Sequence, residues 1–307
     1  MPFTIRFTVT GPLAKGVLDT VKVPHRRVHL VREQEMPLPR LWLDREKPEP
    51  NSPDPLRREG LWTPERWGSS IFDPKWSLAV LERWIDTFGK SRDMNDEVIL
   101  DIEDVHPIAG AQARDARANF EQMQKDLARR GLLAGEPLNS DVIRAGLRQV
   151  WELLLDHLTA YGLDVSVYGH TPEWLNDPHA MAEERGWFFR RLPRTHPVIY
   201  EWMEGRPAEL HQHQVARERT LAAQRVAPLV PCHPFVTPVL DAGHRDRFVS
   251  RAHFRGMLQG AKQAGAQGVV VWYHAGDTRQ LARWIGSAEW INAELAAAIA
   301  PPVEAAT

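Results

Sequence analysis

The stretch VILDIEDVHP, residues 98–107, runs an apolar segment into three carboxylates, Asp101, Glu103 and Asp104, before a proline stops it. Side chains alternate along a strand, so Asp101 and Glu103 share a face with Ile99 while Ile102 points the other way. Two acids so placed repel each other, and one keeps a proton near neutral pH. A protonated carboxylic acid beside an ionised one suits cleavage of a glycosidic bond. One supplies a proton to the leaving oxygen and the other a charge to the transition state. Two other uses of the acids stay open. Acids after a strand also cap the next helix or pair with arginines, the reading that suits Asp104. Asp101, Glu103 and a histidine can also ligate a metal, although no H-x-H or H-E-x-x-H pattern stands at a strand end. His211 and His213, two apart on a helix, diverge and form no such pair.

The elements that would position this pair follow from periodicity. Phe3–Val9 and Val28–Val31 read as strands and Leu41–Leu43 as a third, before a proline-rich loop over Lys47–Pro55. From residue 76 strands and helices alternate. Trp76–Gly89 is helical (Leu78, Leu81, Ile85, Phe88), Val98–Asp101 a strand, Ala111–Gly131 a helix, and Ser140–Tyr161 a helix with Ser140 as N-cap. Asp164–Tyr168 and Val198–Trp202 read as strands, Pro207–Gln224 as a helix, and Ala227–Val236 as extended chain. Ser250–Ala264 is a helix, Gly268–Trp272 a buried strand and Thr278–Ala300 a helix. Such alternation implies parallel pairing through right-handed crossovers.

The expectation is an α/β protein, a (β/α)8 TIM-like barrel. Its first strands lie in an irregular N-terminal region, 1–75. Residues 76–300 form the main part of a single barrel domain, and 301–307 a flexible tail. No G-x-G-x-x-G or Walker pattern follows a strand, so no nucleotide cofactor is implied, and none of another kind is expected.

In such barrels chemistry sits where the strands end. Beyond the acids, those positions hold Tyr168, His170, Tyr200, Glu201, Trp202, His233, Trp272, Tyr273 and His274. Tyr168, Tyr200 and Trp272 can plug the barrel as well as meet a sugar. His170, His233 and His274 can line the mouth or serve as hydrogen-bonded structural histidines. Glu201 follows Tyr200 and should face away from it, against a mechanism pairing Glu103 with Glu201. No G-x-S-x-G elbow is present, and the one cysteine, Cys232, reads as a buried thiol.

Composition narrows the classes further. The 307 residues are 43% hydrophobic and 25% charged, with a formal net charge of -2. That balance gives no footprint for nucleic acid. One cysteine excludes internal disulfides and a closed cysteine–zinc site. No signal peptide and no apolar run of about 20 residues is apparent, so the expectation is a protein without a membrane span, cytoplasmic by default. Twelve tryptophans offer aromatic faces on which sugar rings can stack.

DIEDVHP resembles the D-W-E-[ED]-x-R-P segment of the hyaluronidases, glycoside hydrolase family fifty-six. In the same order, YGLDVSVYGHTPEW resembles that family's strand ending in an aromatic segment, and LPRTHPVIYEW its L-Y-P-S-I-Y stretch. DRFVSRAHFRGMLQGAKQAGAQGVVVWYHAGD resembles its closing segment. The matches span residues 95–280, about 60% of the chain. The resemblance implies a distorted barrel and substrate-assisted cleavage of an N-acetylhexosamine-containing glycan. Glu103 would be the general acid and then base. Asp101 would orient the 2-acetamido group, whose oxygen is the nucleophile. Tyr168 and Tyr200 would hydrogen-bond around that group, and Trp272 would floor the subsite, with Trp202, His170 and Tyr273 as further substrate contacts. Ile102 stands for the family's tryptophan, His106 for its arginine and Tyr273 for its glycine. With those departures, a non-catalytic glycan-binding protein and a metal-dependent hydrolase remain the alternatives.

Overall fold

The computed structural model describes residues 2–32, 35–36, 74–101, 151–169, 188–200, 209–239 and 247–301. Its elements are β1 (Thr4–Thr10), α1 (Ala14–Leu18), β2 (Arg26–Arg27), β3 (His29–Arg32), α2 (Pro74–Lys90) and β4 (Glu97–Asp101). Then come α3, over 151–160, and β5 (Asp164–Tyr168). After a 3-10 turn at Phe189–Arg191 follow β6 (Thr195–His196), α4 (Glu209–Val226), β7 (Phe235–Val236), α5 (Arg251–Gln263), β8 (Gly268–His274) and α6 (Thr278–Ile299). Leu41–Leu43, Ala111–Gly131, the Ser140 cap and 302–307 lie outside the described residues.

All six registered strand pairs are parallel, in two sheets ordered β2-β1-β8-β7 and β3-β4-β5-β6. Two seams join them into a ring. At the first, β2 and β3 are two halves of one segment, β2 pairing with β1 and β3 with β4. Between them the Val28 N–H donates to the Phe7 carbonyl at 2.8 Å. At the second, Thr195 bridges Cys232 and Val198 bridges Phe235, with the Phe235 N–H donating to the Pro197 carbonyl at 2.8 Å. The eight short strands therefore occupy seven positions round a closed parallel barrel among the described residues. The expected distortion takes this form.

Alternation divides the core. Val31, Val98, Leu100, Val165 and Val167 pack outward against Leu81 and Ile85 of α2 and Trp151, Leu154 and Leu158 of α3. Phe7 and Tyr273 face outward elsewhere, edge-on and tilted against Trp284 of α6 at 6.3 and 4.7 Å. The alternate residues of β4 and β5, Ile99 and Tyr168, join Tyr200 and Phe235 in the other cluster. Two helix starts are capped by side chains. Ser250 Oγ accepts from the His253 N–H and Asp277 Oδ1 from the Gln280 N–H, each worth about 1 kcal/mol.

The expected strand Val198–Trp202 is a correction. The ladder lies earlier, at Thr195–His196, and Val198 makes only a bridge. Pro197 cannot donate to a ladder, and the paired residues are polar yet 3% and 1% exposed. The apolar run drew the prediction past them.

The N-terminal end of the barrel is closed by ion pairs. Arg6 Nε and Nη2 grip Glu97 at 2.5 and 3.1 Å, Arg26 adds a contact at 3.1 Å and Arg194 one at 3.9 Å. Burial raises the Glu97 pKa, but the hydrogen bonds and charges of Arg6, Arg194 and Arg26 outweigh it and hold the carboxyl below its ordinary value. Among the described residues no helix is long and apolar enough to cross a membrane.

Candidate active site

Because all strands run parallel, their C-terminal ends form one mouth. Asp101 ends β4. Two and four residues earlier on its face stand Ile99, in the interior cluster, and Glu97, bonded to Arg6 across the barrel. Asp101 therefore points inward at the mouth, as the sequence predicts, and its Oδ1 is shielded from solvent. Leu100 is in register with Val167, so Asp101 stands one step on, level with Tyr168. Glu103, Asp104, His106, His170, Glu201 and Trp202 lie outside the described residues.

Tyr168 ends β5, and its hydroxyl lies 2.6 Å from that of Tyr200. One hydroxyl donates to the other. The rings are 8% and 4% exposed. Phe235 meets Tyr168 edge-to-face at 4.7 Å and fixes it from below. Their burial agrees with the reading of these tyrosines as plugs of the barrel.

Trp272 is partly exposed on β8 while Tyr273 is fully buried. Tyr273 occupies the opposite face, and its hydroxyl donates to the Gln280 carbonyl at 2.8 Å. Burial pushes that phenol up to about 12. As a substrate contact Tyr273 is therefore a correction: alternation turns it to the helices whenever Trp272 faces the mouth.

Beneath the tyrosines is a second polar layer. His196 Nδ1–H donates to the His233 carbonyl at 2.8 Å. Its Nε2 must then accept, and Ser166 Oγ–H donates to it at 2.8 Å. Burial drives His196 down to about 3 and His233 to about 2, so both are neutral at ordinary pH. His233 reaches Thr4 and not the mouth, since their side chains meet at 3.5 Å near the start of β1. Ser166 and His196 are fully enclosed and have no access to a substrate. Cys232 is buried, its thiol pushed up to about 12 by burial, in line with the structural reading.

Two mouth residues escape the sequence reading. Arg32 ends β3 in register with Asp101, on the face opposite buried Val31. It pairs with Glu35 at 3.0 Å. Thr10 ends β1 in register with His274. The expected strands, Phe3–Val9 and Val28–Val31, stop one residue short of Thr10 and Arg32. Among the described residues no three His, Cys, Asp or Glu side chains gather as a metal site.

No family model matches the sequence and no curated protein does. Among solved structures, the monoclinic crystal structure of bee venom hyaluronidase superposes with a TM-score of 0.59, covering 97% of this chain and 99% of that one at 14% identity. The chain is similar in fold to bee venom hyaluronidase. A second structure of that protein, in complex with a hyaluronic acid tetramer, matches with a TM-score of 0.51 and 18% identity, over 74% of this chain and 76% of that one. At these identities the likeness is one of fold, and this hyaluronidase-like barrel carries Asp101, Tyr168, Tyr200 and Trp272 at its mouth.

Proposed function

We propose that the chain is a retaining glycoside hydrolase that cleaves an N-acetylhexosamine-containing glycan with the substrate's own acetamido group as nucleophile. The observation that carries this reading is the convergence of inward-facing Asp101, the Tyr168–Tyr200 hydroxyl pair and partly exposed Trp272 at one mouth. Asp101 accepts the acetamido N–H and stabilises the positive charge that develops on the ring formed when the acetamido oxygen attacks the anomeric carbon. Tyr168 and Tyr200 hydrogen-bond around that group and hold it in line. Trp272 offers a face for the sugar ring. Glu103, two residues on from Asp101, supplies the proton to the leaving oxygen and then takes one from the water that opens the intermediate.

The likeness to a barrel solved with a hyaluronic acid tetramer supports glycan as the ligand class. Release of reducing ends from chitotetraose and from a hyaluronan tetramer tests the reading. Glu103→Gln should lower turnover by about 10²- to 10⁴-fold while oligosaccharide binding persists. Undiminished turnover in that variant would remove Glu103 from the mechanism, and a wild-type chain inert on a broad panel of N-acetylhexosamine glycans would remove the hydrolase reading.

A further inference from the structure

We propose that His274 is a substrate-contacting residue of this site, meeting the sugar next to the one that rests on Trp272. This rests on the glycan reading above. His274 and Trp272 are two apart on β8 and share a face, while the residue between them is sealed against α6. On that face Val270 is 0% exposed, whereas Trp272 and His274 are each partly exposed. The wall thus opens to solvent at these two side chains, with His274 one step nearer the rim.

The imidazole is also held in place. Thr10 is the registered partner of His274, and its Oγ1 lies 2.9 Å from His274 Nδ1. Beyond the strand, the Ala275 N–H donates to the Thr10 carbonyl at 2.8 Å, and the Gly276 N–H to Gln280 Oε1 at 2.7 Å. The loop therefore folds closely round the ring: a β-carbon on Gly276 would lie 2.7 Å from His274 Nε2. Gly11, at φ +93°, lets the opposite loop approach, since a β-carbon there would meet the Ala275 carbonyl at 2.5 Å. A histidine needed only for packing would gain little from partial exposure. One that meets a ligand gains from fixed orientation, because less rotamer freedom is lost on binding. A fixed, partly exposed imidazole presents a sugar with a polar aromatic ring whose face suits C–H groups.

The test uses the intact chain carrying Glu103→Gln, which prevents turnover, with chitotetraose and a hyaluronan tetramer as calorimetric probes. His274→Ala should raise Kd about five- to tenfold, and Thr10→Val, which removes only the hydroxyl that orients the ring, about two- to threefold. His274→Gln, which keeps a polar side chain, should recover part of the loss, and it serves in place of the alanine variant should that fail to fold. In the active chain the same changes should raise KM and leave kcat nearly unaltered, a split that general loss of structure would not produce. Trp272→Ala is the comparator. If it weakens binding while the His274 and Thr10 variants bind as the parent does, His274 is structural and the inference falls, with the glycan reading intact. If the parent binds neither tetramer, the glycan reading falls and takes this inference with it.

Discussion

Replacing Glu97 with glutamine should destabilise the fold without touching the mouth. Glu97 is 6% exposed and receives two hydrogen bonds from Arg6, itself 5% exposed, and one from Arg26. Removing its charge leaves the Arg6 guanidinium buried without a counterion, which costs about 3–5 kcal/mol in comparable sites. For 307 residues at about 2.1 cal/mol/K each, the unfolding entropy is about 0.64 kcal/mol/K. Tm should therefore fall by about 5–8 °C, measured by calorimetry at pH 7.

Acid supplies a second readout. Because the folded pKa of Glu97 lies below its ordinary 4.5, the unfolded chain takes up the proton first as pH falls. The stabilisation is complete above 4.5 and is lost as pH drops from there through the folded value, and Glu97→Gln should lack that part of the acid limb. A Tm within 2 °C of the parent, or an unchanged acid limb, would refute the view that this carboxylate ties the barrel floor. Glycan binding below the transition should not change, because the floor and the mouth are at opposite ends of the strands.

Two further outcomes follow from the interior. His196 has its folded pKa depressed from 6.5 to about 3, so the unfolded chain binds the extra proton between those values and stability falls as pH drops from 6.5. In urea unfolding between pH 6 and 4, His196→Gln should reduce the pH slope by about 1.4 kcal/mol per pH unit, and an unaltered slope would count against a buried neutral imidazole. Gly260 lies where α5 meets α4, and a β-carbon there would sit 2.3 Å from the His213 carbonyl and 2.9 Å from Ala216 Cβ. Gly260→Ala should cost about 1–3 kcal/mol despite its better helix propensity, and a more stable variant would show that the helix pair yields easily.

Much of the frame was legible because periodicity reports burial directly. The bounds expected for β5 match those found, and those for α2, α5 and α6 fall within two residues, since each is a run of apolar residues at period two or 3.6 with a cap or glycine at its end. β6 was misplaced because its residues are polar, buried and followed by proline, a combination in which hydrophobicity gives no signal. The direction of Asp101 was readable for a simple reason: alternation needs only Ile99 as its reference. Tyr273 was misassigned although the same rule, applied from Trp272, would have turned it to the helices.

The sequence by itself determined local matters: which segments are strands and helices, which side chains share a face with Asp101, and that one cysteine serves no chemistry with a partner cysteine. Only the tertiary structure decided what meets across the ring. Arg6 finds Glu97, 91 residues away; Tyr168 finds Tyr200; Thr10 finds His274, 264 residues away. Such pairs depend on strand register and on the closure of the barrel through the divided segment at Val28, and neither leaves a periodic trace in the chain. Register is set by the summed fit of all seven strand positions, so no short stretch, not even VILDIEDVHP, contains it.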